Sequence, residues 1–485
     1  MLRRWKLTLA AAGTLTLLPA ATAAADTLDA AGAGALPDSV FMNTMWVVIS
    51  AVLVLFMLAG LLCLETGMSR AKNVGTLVPK ALLSMAIAAL AYYAVGFAFA
   101  FGTDEAGFAS GDILGSTGFF LQGFGDPQEA FYIMGLSDAM IESKWLFQFA
   151  FCAVCLAIVW GSTLERIKFK AHIIFAVVFA AFIYPLVSHW VFGGGWLQAK
   201  VGMQDFAGST AVHLTGATAA LAALLVLGPR IGKFGPDRKP KTLHGHNMFV
   251  LGLGMFILLV GWFGFNAGSA LVVTDGRFAE IAMVTMLGAA GGILGAYLMT
   301  VVLQKTVDIG MVCNGLIAGL VAITAPSGYV ENWAAPIIGI VGGLIVVPAI
   351  LAIDKKLDDP VGVLSAHGIA GIWGTLSCGL FTAPRFAEYM TIGDPEGGLV
   401  YSGSFTQLGD QALGVVVAFA TVLILSYATF WLISKTVGLR VSAEEELAGL
   451  DITEHGAYGV PDAIHTEFGE MAPPPPEAER EPLVV

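Results

Sequence analysis

Polar residues in this chain of 485 residues fall in short clusters, and long apolar stretches run between them. The stretches lie near 41–64, 75–101, 145–164, 171–192, 207–227, 247–272, 280–303, 311–325, 335–353, 361–382 and 410–434. Each is close to the roughly 20 residues an α-helix needs to cross a bilayer; 311–325 is the shortest. Only helices and closed barrels satisfy their backbone in lipid. The pattern therefore predicts an all-α polytopic membrane protein with eleven transmembrane helices. An odd count puts the two ends of the mature chain on opposite sides.

Composition agrees. Hydrophobic residues make up 57%, charged residues 12%, and the mean hydropathy is +0.79; soluble domains carry about a quarter charged residues. The 59 glycines favour close helix contacts. Net charge is −12, much of it in the 103–142 loop and after 443, which does not suggest a nucleic-acid partner. All five cysteines (Cys63, Cys152, Cys155, Cys313, Cys378) fall in apolar stretches and read as packing residues, with no metal or disulfide role expected.

Residues 1–25 read as a secretory signal. Arg3, Arg4 and Lys6 precede a short apolar run, and Ala21–Ala25 offers small-residue cleavage sites. An uncleaved first helix is the alternative reading, but the run is short and Pro19 interrupts it. Lys and Arg set the orientation. Sixteen, from Arg70 to Arg440, fall in one alternate set of loops and ends; only Lys144, Lys200, Arg277 and Arg385 fall in the other. The basic set is expected to face the cytoplasm of an inner membrane, with the mature N-terminus outside and the C-terminus inside.

Ionisable residues within spans are functional candidates by default. His213 and His367 lie within the fifth and tenth stretches, each eight residues after an aspartate, Asp205 and Asp359. Asp359 precedes Pro360, a combination that predicts an N-cap with proline at the first helical position. Eight helical residues climb about 12 Å, close to half the hydrocarbon thickness. Both imidazoles are thus expected near the midplane, reached from opposite faces. That arrangement is an inverted repeat: 41–228 as one half, 245–383 as the other, and 410–434 outside both. The domains expected are the signal, a transporter domain over 26–436, and a cytoplasmic tail over 437–485. A lone histidine on an apolar face is usually a packed residue; the matched pair is what argues for function.

The motifs Asp205-Phe-Ala-Gly-Ser-Thr-Ala-Val-His213, Gly261-Trp-Phe-Gly-Phe-Asn-Ala-Gly-Ser269, Asp358-Asp-Pro360 with His367-Gly368, and the tail from Gly438 to Gly456 resemble the ammonium transporter (Amt/Rh) family, bacterial Amt type. The resemblance runs from about 41 to 456. It implies that His213 and His367 are the twin pore histidines. It implies an outer cation site of Phe147, Phe151, Phe192 and Ser269, a gate of stacked Phe151 and Phe265, and a structural and electrostatic role for Asp205. It also implies a homotrimer, no enzymatic activity, no cofactor, and in many bacteria a PII-type regulatory partner. The family usually has tryptophan where this chain has Phe192. Phenylalanine is a weaker cation–π partner and lacks the indole N–H, unless nearby Trp196 substitutes. Ser209 stands where glycine is common and reads as minor.

The function this implies is ammonium transport, possible also for methylammonium: ammonium is bound outside, deprotonated, and ammonia passes the apolar pore. The alternatives are an ammonium sensor with little conduction, a neutral gas channel, and an intramembrane enzyme, for which no catalytic nucleophile accompanies the histidines. In the tail, Glu444–Glu446 with Leu447, Leu450 and Ile452 suggest either a short amphipathic helix docked on the loops or a solvated charged segment. Disorder is expected after about 457.

Overall fold

The computed structural model describes residues 37–104, 109–124 and 139–460. Residues 1–36, where the signal is expected, parts of the acidic loop and the last residues of the tail lie outside the described residues.

Helices α1 (Asp38–Met68), α2 (Ala71–Phe101), α3 (Ile141–Ser162), α4 (Phe169–Val191), α5 (Ser209–Leu227), α6 (Met248–Gly268), α7 (Arg277–Gln304), α8 (Ile309–Thr324), α9 (Ala334–Ile353), α10 (364–381) and α11 (Thr406–Thr436) account for every predicted stretch. Among the described residues, nine of these are long and apolar enough to cross a membrane. The two that fall short are α8, with 16 residues, and α10, which opens as a π turn (Leu364–Ile369) before its α-helical part (Ala370–Phe381).

The packing repeats. In the first half α2 packs on α4 and α3 on α5; in the second, α7 packs on α9 and α8 on α10. The leading helices α1 and α6 pack along each other, and α11 lies over both α5 and α10.

The helix starts differ from the sequence expectation. Pro360 is not the first helical residue: a turn through Gly362, at φ +80°, intervenes before α10. Likewise α5 begins only at Ser209, after Gly208 at φ +116°. Positive φ suits glycine because it has no Cβ to clash. The eight-residue spacing from aspartate to histidine is therefore part turn and part π-helix, in both halves.

Glycines let α7, α8 and α9 touch backbone to backbone. A Cβ at Gly292 would sit 2.3 Å from the Gly315 carbonyl oxygen, and one at Gly343 would sit 2.2 Å from that of Gly292. Lipid supplies no hydrophobic drive between helices, so this close contact is what holds them.

The tail is docked. It forms two short helices, α12 (Ala443–Ala448) and α13 (Leu450–His455), parted at Gly449 where φ is +104°. Asp451, fully buried, accepts from the backbone N–H of Gly75 and Thr76, both at 2.8 Å. Glu446 pairs with Arg440 at 2.7 Å and accepts from Ile231 N–H at 2.6 Å. Leu450 is buried but Leu447 is 60% exposed, so acidic side chains, more than an apolar stripe, anchor the tail.

Beneath it lies a buried ion network. Arg230 bridges Glu165 at 3.3 Å and Asp358 at 2.9 Å, and Arg70 Nε donates to Glu165 at 2.6 Å. Arg166 donates to the carbonyls of Gly228, Leu164 and Asp358. Loops from both halves are thus tied together. Burial pushes the Asp358 carboxyl up, but its hydrogen bond and charge pairing with Arg230 outweigh this and bring it down to about 2.

Two outcomes are expected. Gly343→Leu should cost about 1–3 kcal/mol through overpacking, read as a fall in the unfolding midpoint in detergent beyond that of Gly252→Leu, where a Cβ meets open space. The Asp358 carboxyl is lowered from 3.8, so its stabilisation is present above that pH and is lost as pH falls through about 2. Arg230→Ala strips the buried Asp358 carboxylate of its hydrogen-bonded partner, at a cost of about 3–5 kcal/mol, and should raise the pH at which acid unfolding begins.

Candidate functional site

Helices α5 and α10 start within the protein, and their free N–H groups need acceptors. The Asp205 carboxylate takes four: Gly208 and Ser209 on Oδ1, both at 2.8 Å, and Thr210 and Ala211 on Oδ2, at 2.8 and 2.9 Å. In the other half Asp359 accepts from Leu364 N–H at 2.8 Å. Ser209, which reads as minor in the sequence, joins α5 to the end of α8. Its hydroxyl donates to Val321 O and accepts from Ala325 N–H, both at 2.7 Å.

Each of these caps leads into a π turn that carries a histidine: Ser209–Leu214 holds His213 and Leu364–Ile369 holds His367. The extra residue in a π turn re-aims the side chains, and such turns recur at functional sites. The two imidazoles meet with Nδ1 to Nδ1 at 3.1 Å and ring centroids 5.2 Å apart. At that distance they share one proton, one ring donating and the other accepting. His213 is fully buried, and its Nε2 has no hydrogen-bond partner among the described residues.

Above the pair runs a column of aromatic rings. Phe265 lies 5.4 Å from His213 and stacks on Phe151 at 4.0 Å with an interplanar angle of 10°. Phe151 is 4.6 Å from Phe147 and edge-on to Phe192 at 6.5 Å. Phe147, Phe151, Phe192 and Ser269 line one open vestibule of about 930 Å³, which Asp205, Asp394 and Asp410 also border. The Ser269 hydroxyl currently donates to Phe265 O at 2.8 Å. All eight residues singled out in the sequence, Asp205 and both histidines included, therefore lie together from the vestibule to the histidine pair. Trp196 does not join it: it packs against Trp190 and is absent from the vestibule lining.

The sequence reading missed Trp262. It stacks on His213 at 5.1 Å and 14°, held by its indole N–H to Thr324 Oγ1 at 2.9 Å. It sits inside the Gly261–Ser269 motif, but nothing in the motif's spacing shows that it faces His213. Of the remaining histidines, His172 and His189 are buried in α4, and both His189 nitrogens face carbonyl oxygens, Ala100 O at 2.9 Å and Gly111 O at 2.6 Å.

The profile of the Ammonium Transporter Family matches residues 45–460. The ammonium transporter Amt2 of Archaeoglobus fulgidus is 40% identical over 463 residues, covering 93% of this chain and 95% of its own. Ammonium transporter 3 of Dictyostelium discoideum is 35% identical, covering 86% and 93%. Among solved structures, one titled Sensor Amt Protein superposes with a TM-score of 0.77 at 34% identity, covering 86% of this chain and 99% of that one. Mep2 of Candida albicans gives 0.74 at 28% identity, covering 83% and 87%.

The cap geometry makes its own test. Asp205→Ala leaves four buried N–H groups without their acceptor and should cost at least about 2 kcal/mol. Asp205→Asn, which keeps one acceptor oxygen, should cost less. Unfolding midpoints of the two variants in detergent order them.

Proposed function

The chain belongs to the ammonium transporter family, and we propose that it carries ammonium inward by binding the cation outside, removing its proton, and passing ammonia through the pore. The observation that carries this reading is the proton-sharing histidine pair beneath a closed phenyl stack. Potassium and ammonium are similar in size and charge, so a cation site alone would not separate them. Only ammonium can give up a proton. A narrow apolar pore excludes a bare charge, while neutral ammonia can cross.

The order of events follows the path. The acidic border of the vestibule concentrates cations. Phe147, Phe151 and Phe192 offer ring faces, each contact contributing about 0.5–2 kcal/mol, and the Ser269 hydroxyl turns from Phe265 O toward the ion. Deprotonation occurs at the Phe151–Phe265 gate. Ammonia then passes His213 and His367, whose ring nitrogens hydrogen-bond it, and the shared Nδ1 proton gives the released proton a separate route. Asp205 acts by holding α5 in place and by its charge. Trp262 fixes the plane of His213.

In this reading residues 1–25 are a cleaved signal, 26–436 the transporter domain of the inner membrane, and 437–485 a cytoplasmic tail. The protein is a homotrimer with one pore per subunit, and the docked tail lies where a PII-type regulator would bind. A second reading, an ammonium sensor with little conduction, is favoured by the 34% identity to the structure titled Sensor Amt Protein.

The test is current and internal pH in proteoliposomes after an ammonium pulse, with potassium and methylammonium as controls. A saturable ammonium current that His213→Ala abolishes, or turns into a potassium leak, is expected. Internal alkalinisation without current points to a neutral gas channel. Binding with neither signal overturns transport in favour of the sensor.

A further inference from the structure

Glu65 lies in α1 one turn from the helix end and is 8% exposed. Among the described residues its carboxylate makes no hydrogen bond and no close ion pair; Lys80 lines a cavity with it. A carboxylate held inside a membrane span without a partner is costly and calls for a role. Nothing above uses it.

Its position supplies one. Glu65 borders two small cavities. The first, about 10 Å³, is lined by Glu65, Asn314 and His367 among apolar side chains. That is room for about one water. The second, about 40 Å³, is lined by Glu65, Lys80, Trp160, Glu165 and His172 at the tail end of the molecule, with room for about three waters. His367 commits Nδ1 to His213, so its Nε2 lies on the far side of the ring. Glu65 therefore stands between the histidine pair and the tail end.

The ionisable groups that line the second cavity with it come from α2, α4 and the loop after α3. Lys80 on α2 is anchored by Ile167 O at 3.3 Å and by Glu454 of the tail at 3.4 Å. His172 on α4 is stacked on Trp160 at 3.7 Å, with Nε2 on Ser84 Oγ at 2.6 Å. Glu165, in the loop after α3, is occupied by Arg70 and Arg230. Glu65 alone among these carboxylates is free to take a proton.

We propose that Glu65 is the proton acceptor at the inner end of the histidine relay. This rests on the transport reading above. A proton taken up at His213 Nε2 shifts the shared hydrogen onto His367 Nδ1. The hydrogen on His367 Nε2 then leaves: that N–H bond breaks, an intervening water receives the proton, and the water gives one of its own hydrogens to a Glu65 oxygen. The carboxylate becomes a neutral carboxyl and the imidazolium a neutral imidazole. Glu65 next releases the proton to water in the second cavity and regains its charge.

The test uses the full chain in proteoliposomes, with Glu65→Gln, Glu65→Asp and wild type compared for ammonium current and for ammonia entry read as internal alkalinisation. Glu65→Gln keeps the shape but accepts no proton, so current should fall about a hundredfold while ammonia entry persists. Glu65→Asp should retain current, with its pH profile displaced. A Glu65→Gln current equal to wild type overturns the proposal. So does a parallel fall in current and ammonia entry, which marks a structural role. A wild type that admits ammonia without any current overturns the relay itself, and is thereby told apart from a failure at Glu65 alone.

Discussion

Two helices of this protein begin inside it, and a helix that begins away from water must find acceptors for its first N–H groups within the protein. Asp205 provides four such bonds at one stroke, and Asp359 plays the matching part for α10. Without these caps neither α5 nor α10 could start where it does. The π turns that follow would then not place His213 and His367 within 3.1 Å of each other. Everything proposed about the pore depends on this.

From the histidines outward, the same cost of buried charge shapes the path. Rings close it at the Phe151–Phe265 stack, and beyond them the vestibule carries charged residues such as Asp394 and Asp410. Toward the tail end the ionic groups are many, but they neutralise one another. Arg230 and Arg166 satisfy Glu165 and Asp358, and the tail adds Glu446 and Asp451 to the loops. Glu65 stands at the border of these two regions, without a partner among the described residues, and the proposed relay hands its proton over there.

The tail shows how a segment that reads as polar becomes structural. Its carboxylates meet backbone N–H groups at the starts of other elements, Gly75 and Thr76 for Asp451 and Phe169 for Glu454. A helix start favours negative charge nearby, so an acidic tail finds its place there. Gly449 is required where the chain passes Lys72, since a Cβ would lie 2.7 Å from the Lys72 carbonyl oxygen.

Much of this was legible in the amino-acid order. Hydrophobic length alone located each membrane helix, and the paired aspartate–histidine spacing marked the repeat, because lipid punishes unpaired polar groups so heavily that the few which remain stand out. The aromatic site was legible only through motifs, since 31 phenylalanines share one chemistry. Glu65 went unnoticed because the apolar run ends at residue 64, although the helix continues to Met68. What only the tertiary structure decided was where helices start and which side chains face one another: that Pro360 precedes a turn, that Ser209 bridges α5 and α8, that Trp262 stacks on His213, and that both histidines ride on π turns. Such facts follow from contacts between residues far apart in the chain, and hydrophobic spacing, being local, carries no record of them.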